Sequence, residues 1–291
     1  MKLPEKIDLH MHTTASDGTD SPEEIISHVR KTGLDLFSVT DHDGIAGATE
    51  IKQILKNEPA DGLRFINGIE FSCRDEQGRY HILGYHYDEN DPDLRALVDH
   101  AHANRMKKLQ ERLDFIRNDF GFVFKEEDLA ALKRHHNPGK PHIANLMIRY
   151  GYASSIQEAM HEYLNKKKFP NVYTLPQDAI QAILKSGGVA VLAHPSYGDG
   201  DQYITGEEMD QRLKHLLPFG LQGVECYYSG FTPALIREML GFSEKYDLDV
   251  TAGSDYHGGN KLVVLGDTNL DAVSEGAPRL QRFLRKVLGE E

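Results

Sequence analysis

The stretch KIDLHMHTTASDG, residues 6–18, ends a short apolar run in two histidines two residues apart. Alternate side chains of a strand point to opposite faces, so His10 and His12 share a face and can share one cation. Asp17 follows in the loop Ser16-Asp17-Gly18. Alone, the pair reads equally well as a solvated strand end, and the aspartate as a turn residue. The reading turns on recurrence. Thr40-Asp41-His42-Asp43-Gly44, Ala193-His194-Pro195 and Gly253-Ser254-Asp255-Tyr256-His257 each close another apolar run in the same manner. Barrels assemble active sites at the carboxyl ends of their strands, and an imidazole or carboxylate at each of several strand ends predicts one shared rim.

Working outward, strand-length apolar runs lie at 6–12, 36–40, 65–73, 80–87, 189–194, 223–227 and 250–254, with helical patterns between most of them. Seven strands with crossover helices predict an α/β barrel. The first helix is punctuated by Ser21 as N-cap, Pro22, Glu24 completing a capping box, and Gly33 as stop. Pro176 and Gly187 bracket another helix, and Thr232-Pro233 opens a third. Across 91–171 the strand signal gives way to helical, charged sequence. The expected organisation is a barrel from 1–90 and 172–291, with 91–171 as a helical cap that rejoins it near Tyr173.

Glu70 and His81 flank a predicted hairpin. A four-residue loop at Arg74-Asp75-Glu76-Gln77 would place Glu70 directly opposite His81, where Cβ atoms are about 4.5 to 5.5 Å apart. Asp41 or Asp43 is expected to orient the His42 ring through its second nitrogen. Six histidines and the carboxylates of Asp17, Glu70 and Asp255 then converge on one rim, too many polar groups to leave unpaired in a cleft. Mixed nitrogen and oxygen ligation suits Mn²⁺, Fe²⁺ or Zn²⁺.

The chain has 291 residues, 40% hydrophobic and 27% charged, which excludes global disorder. The first residues lack a signal-peptide core, and no run approaches the roughly 20 apolar residues of a membrane span. A cytoplasmic protein with no membrane and no obligate protein partner is expected, and Cys73 and Cys226 are expected to be buried thiols. Net charge is −12, an unfavourable field for an anionic ligand. Residues 90–175, however, carry 14 Lys+Arg against 11 Asp+Glu, a local +3.

In order and spacing, IDLHMHTTASDG, VTDHDG, GIEFS, HILGY, LAHPS and GSDYHG resemble the motifs of the PHP (polymerase and histidinol phosphatase) family. The resemblance implies a distorted (β/α)7 barrel of the PHP type holding two or three divalent metal ions. Their ligands would be His10, His12, Asp17, His42, Glu70, His81, His194, Asp255 and His257, with Asp17, His42 and His257 as the catalytic subset. Asp17 stands where some relatives have histidine. Within the family the chain is similar to bacterial phosphoesterases that remove the 3′-phosphate from 3′,5′-nucleoside bisphosphates or degrade short RNA from its 5′ end. Asn104-Arg105-Met106 and Gly139-Lys140-Pro141-His142-Ile143-Ala144 resemble segments of their insertion, which implies substrate contacts by Asn104, Arg105, Lys140 and His142. The substrate would be a phosphorylated nucleotide or short oligonucleotide. A histidinol-phosphate phosphatase would share every metal ligand. A non-catalytic nucleic-acid-binding module would leave the ligand set idle. Cleavage of C–N or C–O bonds is the third alternative.

Overall fold

Ser21 accepts from the Glu24 amide at 3.3 Å while Glu24 Oε2 accepts from the Ser21 amide at 2.8 Å, the reciprocal bonds of a capping box. The helix they start, α1 (Pro22–Thr32), ends at Gly33 with φ 70°. Its Ile25, Ile26 and Val29 bury against Phe37 and Val39. Such a cap contributes about 1 kcal/mol, so burial of the apolar face supplies most of the helix's hold. The computed structural model describes residues 4–58, 62–135, 137–169, 172–198 and 202–289.

The strands are β1 (Ile7–Asp8), β2 (Leu36–Val39), β3 (Arg64–Asp75), β4 (Gly78–Tyr85), β5 (Val189–Leu192), β6 (Gly223–Tyr228) and β7 (Asp249–Gly253). They form one sheet in sequential order. The pairs β1–β2, β2–β3, β5–β6 and β6–β7 are parallel, whereas β4 runs antiparallel to both neighbours. The sheet nearly closes, because the Leu9 amide donates to Ala252 O at 3.0 Å and the Asp255 amide to His10 O at 2.8 Å. This is the expected barrel, distorted by its one reversed strand. The run at 6–12 is shorter as a ladder than its pattern suggests: after Asp8 the chain stays bonded to β7 and the residues following it.

The hairpin register differs from the expectation. Asp75 pairs with Gly78 across a two-residue loop, so His81 faces Ser72 and Glu70 faces Leu83. The Asp75 carboxylate tightens the turn by accepting from the amides of Gln77 at 2.9 Å and Gly78 at 3.2 Å. A slip of two residues preserves the face, whereas a slip of one would have reversed it. Glu70 and His81 therefore still meet, as diagonal neighbours.

Between the strands lie α2 (Ala46–Asn57), then α3 (Pro92–Phe120), α4 (Glu126–Arg134), α5 (Lys140–Arg149) and α6 (Ile156–Glu158), the last continued by a π-helical turn. The remaining helices are α7 (Pro176–Lys185), α8 (Gly206–Leu216), α9 (Pro233–Lys245) and α10 (Ala277–Leu288). Helix α3 straddles two apolar clusters. Its Leu94 and Ala101 join the barrel core, while Leu109, Leu113 and Ile116 pack with Ile143, Met147 and Leu164. The chain rejoins the hairpin where the Arg74 amide donates to Thr174 O at 3.0 Å. Cys73 and Cys226 are buried, unbridged thiols pushed up by desolvation. Among the described residues no helix is long and apolar enough to cross a membrane.

Candidate metal centre

At the carboxyl ends of the strands the backbone adopts conformations that side chains other than glycine seldom take. Asp43 (φ 52°), His194 (φ 25°) and Asp255 (φ 59°) all follow strand ends at the rim. Such residues cost about 1 to 3 kcal/mol each and persist where the surroundings hold them. Here each turn brings a polar side chain to the barrel mouth.

Glu70 is the centre of the arrangement. Its Oε2 lies 3.4 Å from His10 Nε2, 3.2 Å from His12 Nε2 and 3.1 Å from His42 Nδ1. Its Oε1 lies 2.6 Å from His81 Nδ1 and 3.1 Å from His194 Nε2. Asp255 Oδ1 stands 3.5 Å from His10 Nε2, 3.3 Å from His12 Nε2 and 3.3 Å from His257 Nδ1. Asp17 closes the third side, 3.3 Å from His257 Nε2 and 3.9 Å from His42 Nε2. The ligand atoms fall into overlapping groups, each within 4.8 Å: His12, Asp17, His42 and His257; His10, His12 and Glu70; His10, His194 and Asp255; and His42, Glu70 and His81.

Two observations test whether these groups fit divalent cations. His10 Nε2, His12 Nε2 and Glu70 Oε2 are buried, face one another and have no hydrogen-bond partner. Three converging polar atoms without partners are costly, and a cation satisfies all three. Secondly, burial opposes ionisation of Asp17, Glu70 and Asp255, yet the adjoining imidazoles, with Lys261 beside Asp255, hold all three well below the usual carboxylate range. Burial pushes His42 down and holds His81 at about 3, against the pull of Glu70. Against their burial, Glu225, Glu70 and Asp255 push His10 well up, and Asp255 and Glu70 carry His12 up to about 9. A cation takes the place of those protons, since ionised carboxylates and neutral imidazoles are the forms that ligate metal. The residues fit.

The chain holds these side chains from behind. Glu225, fully buried on β6, accepts from His10 Nδ1–H at 3.0 Å and from the His194 amide at 2.7 Å. Asp41 accepts from the Thr13 amide and hydroxyl, both at 2.8 Å, and from Ser16 Oγ at 2.6 Å, clamping the loop that carries Asp17. Asp43 accepts from the Ser72 amide at 2.8 Å and pairs with Arg105. Neither aspartate touches the His42 ring, contrary to the expectation; Glu70 and Ser72 Oγ, 3.4 Å away, face its Nδ1. The reason is direction: Asp41 and Asp43 flank His42 in sequence and project away from it.

A cleft of about 390 Å³ opens over the cluster, lined also by Arg79, Tyr197, Tyr228 and Lys261. Arg79 Nη2 donates to His81 Nε2 at 2.7 Å, Tyr228 OH donates to Asp255 Oδ2 at 2.8 Å, and Lys261 pairs with the same carboxylate. Sequence reading missed these residues and Glu225. For Glu225 a signal existed, a carboxylate inside the apolar run of β6; for Lys261 there was none.

The four residues expected to bind substrate lie on α3 and in the first turn of α5, whose Gly139 N-cap sits against the cluster: a Cβ there would lie 3.4 Å from both Arg105 Nη1 and Asp17 Oδ2. Arg105 is buried at the edge of the cluster, donating to Asp43 Oδ2 through Nε at 3.0 Å and Nη2 at 2.6 Å, and to Ser72 Oγ at 3.1 Å. Asn104 is half-buried beside it on α3. Lys140 bonds to Asn165. His142 Nδ1 accepts from the Gly139 amide at 3.1 Å, capping α5, and its ring faces a separate cavity with His135 and Asn260.

A family model described as PHP domain matches residues 8–216. A 5′-3′ exoribonuclease of Haemophilus influenzae is 29% identical over 284 residues, covering 97% of this chain and all of the relative. A phosphoribosyl 1,2-cyclic phosphate 1,2-diphosphodiesterase of Eggerthella lenta is 30% identical, covering 86% of this chain and 94% of the relative. A 3′,5′-nucleoside bisphosphate phosphatase of Chromobacterium violaceum is 26% identical, covering 86% and 87%. Among solved structures, one from Bifidobacterium adolescentis presented as a metal-dependent phosphoesterase superposes with a TM-score of 0.77 at 27% identity, covering 96% of this chain and 98% of that one.

Proposed function

Since this chain belongs to the PHP domain family, we propose that its rim cluster removes the 3′-phosphate of 3′,5′-nucleoside bisphosphates, with short 5′-phosphorylated RNA as a second substrate of the same site. The chain is a metal-dependent phosphoesterase. The observation that carries the finer reading is the convergence of nine nitrogen and oxygen ligands beneath a cleft that Arg79 and Lys261 also line. That pairing of a metal site with side-chain cations suits a polyanionic phosphoester. The relatives named for bisphosphates and for RNA ends support the same class.

In this reading His10, His12, Asp17, His42, Glu70, His81, His194, Asp255 and His257 hold two or three divalent ions, of Mn²⁺, Fe²⁺ or Zn²⁺ type. Bound cations of this kind neutralise phosphoryl oxygens and lower the pKa of water. The protein's own part is preorganisation. Glu225 fixes the His10 ring with its Nε2 lone pair toward Glu70, and Asp41 fixes the loop that presents Asp17. Lys261 adds fixed positive charge where the phosphoryl group develops negative charge, and because it is already in place it needs little reorganisation.

The test is a side-by-side assay of the metal-loaded protein on adenosine 3′,5′-bisphosphate, 5′-AMP, histidinol phosphate, and RNA with 5′-phosphate or 5′-hydroxyl ends. The bisphosphate should show the highest kcat/KM, and elemental analysis should find at least two divalent ions per chain. Preference for histidinol phosphate would replace this substrate assignment with the monophosphate one.

A further inference from the structure

Helix α3 carries Arg105, Lys108 and Arg112 at i, i+3 and i+7, one side of the helix. All three are buried, at 7, 6 and 6% exposure. Arg105 has its carboxylate in Asp43. Lys108 and Arg112 have none: among the described residues no Asp or Glu forms an ion pair with either. Lys108 Nζ lies instead 3.6 Å from the centroid of the Tyr173 ring, and Arg112 Nε is buried without a hydrogen-bond partner. Burial pushes Lys108 well below the usual lysine value, and Arg105 and Arg112 push it further, against the opposing charge of Asp43. Desolvation likewise holds Arg112 down at about 10 against a hydrogen bond to the Tyr173 hydroxyl, its one polar side-chain partner among the described residues, and Arg79 presses on both residues.

Buried charges without counter-charges are costly unless a ligand supplies the missing partner. The position of these says which ligand. Arg79 reaches from the cluster's edge to His81, and Arg105 reaches Ser72 beside His42, so the cationic strip adjoins the metal centre. An ammonium and two guanidiniums match the oxygens of a phosphate dianion, which can accept several charge-assisted bonds at once. We propose that Lys108 and Arg112, with Arg79 on the side nearest the metals, form the subsite for the substrate's second phosphate, the one that is not cleaved. This rests on the bisphosphate reading above. It moves recognition of that phosphate from Lys140 and His142 on α5 to the α3 strip.

The test uses the full, metal-loaded protein. Lys108→Met and Arg112→Gln are compared with wild type in the ratio of kcat/KM for adenosine 3′,5′-bisphosphate to that for p-nitrophenyl phosphate, and in inhibition of p-nitrophenyl phosphate hydrolysis by 5′-AMP. Loss of a charge-assisted contact should lower the ratio at least about tenfold and weaken 5′-AMP inhibition in proportion. Lys108→Met should also melt no lower than wild type, since it removes an uncompensated charge; if it does not fold, Arg112→Gln carries the kinetic comparison. An unchanged ratio in a folded variant overturns the subsite. If wild type does not cleave the bisphosphate, the proposed function fails; the subsite then stands if 5′-AMP inhibits wild type but not Lys108→Met, and falls if 5′-AMP inhibits neither or both equally.

Discussion

Replacing Glu225 by glutamine removes one negative charge from a fully buried position and leaves its shape nearly unchanged. Glu225 uses both oxygens as acceptors, Oε1 from His10 Nδ1–H at 3.0 Å and Oε2 from the His194 amide at 2.7 Å. Glutamine has a single acceptor oxygen, so one of the two N–H groups must face an NH₂. The side chain has little room to escape, because even a methyl group placed on Gly253 would lie 2.5 Å from Glu225 Oε1. Losing one charge-assisted bond costs about 1.5 to 3 kcal/mol. With about 2.1 cal/mol/K of unfolding entropy per residue, that corresponds to a fall in Tm of roughly 3 to 5 °C. The effect on metal should be larger in relative terms. A carboxylate behind a ligating imidazole fixes its tautomer and raises its basicity, and losing it weakens metal binding about 10- to 100-fold. Competition of the metal-loaded protein against a chelating indicator measures this directly, alongside the melting curve. Metal affinity within twofold of wild type, with an unchanged Tm, would refute the claim that Glu225 sets the His10 and His194 positions.

Gly253→Ala would put its Cβ 2.2 Å from His10 Cβ; it should cost about 1 to 3 kcal/mol and release metal, whereas Gly241→Ala on α9, with nothing within 4 Å, should do neither in the same melts and elemental analysis. Arg105→Ala leaves Asp43 buried without its guanidinium and should destabilise by about 3 to 5 kcal/mol; Lys140→Ala, which loses a bond to exposed Asn165, should cost under about 1 kcal/mol, as read from urea midpoints. Burial and then His135 push the His142 imidazole down to about 4. Below pH 6.5 the unfolded chain takes up a proton that folded His142 refuses, so stability present at pH 7 is lost as pH falls through 6.5 toward 4. Wild type should lose about 2 to 3 kcal/mol more than His142→Gln over that range, and parallel stability curves for the two proteins would count against it.

The strands, the capping box of α1 and the candidate ligands were readable because each is a local matter. A strand announces itself within a few residues, a cap within four, and a histidine or carboxylate closing an apolar run can be seen without knowing its neighbours. Recurrence did the rest, since a barrel gathers its strand ends on one rim and so brings His10, His42, His194 and His257 together whatever the details of register. Pairing across the fold is different in kind. Whether the β3–β4 loop has two residues or four depends on the Asp75 carboxylate closing the turn, and Glu70 met His81 only because the error was an even number of residues. Asp41 and Asp43 flank His42 in sequence but serve Thr13, Ser16, Ser72 and Arg105. Glu225 lies 215 residues from the imidazole it orients. Arg105 was expected to contact substrate, but that it, Lys108 and Arg112 are buried together shows only once α3 is laid against Asp43 and Tyr173. Charge and residue type are written along the chain, but which carboxylate meets which cation, and which cation meets none, is set by packing between segments far apart in sequence.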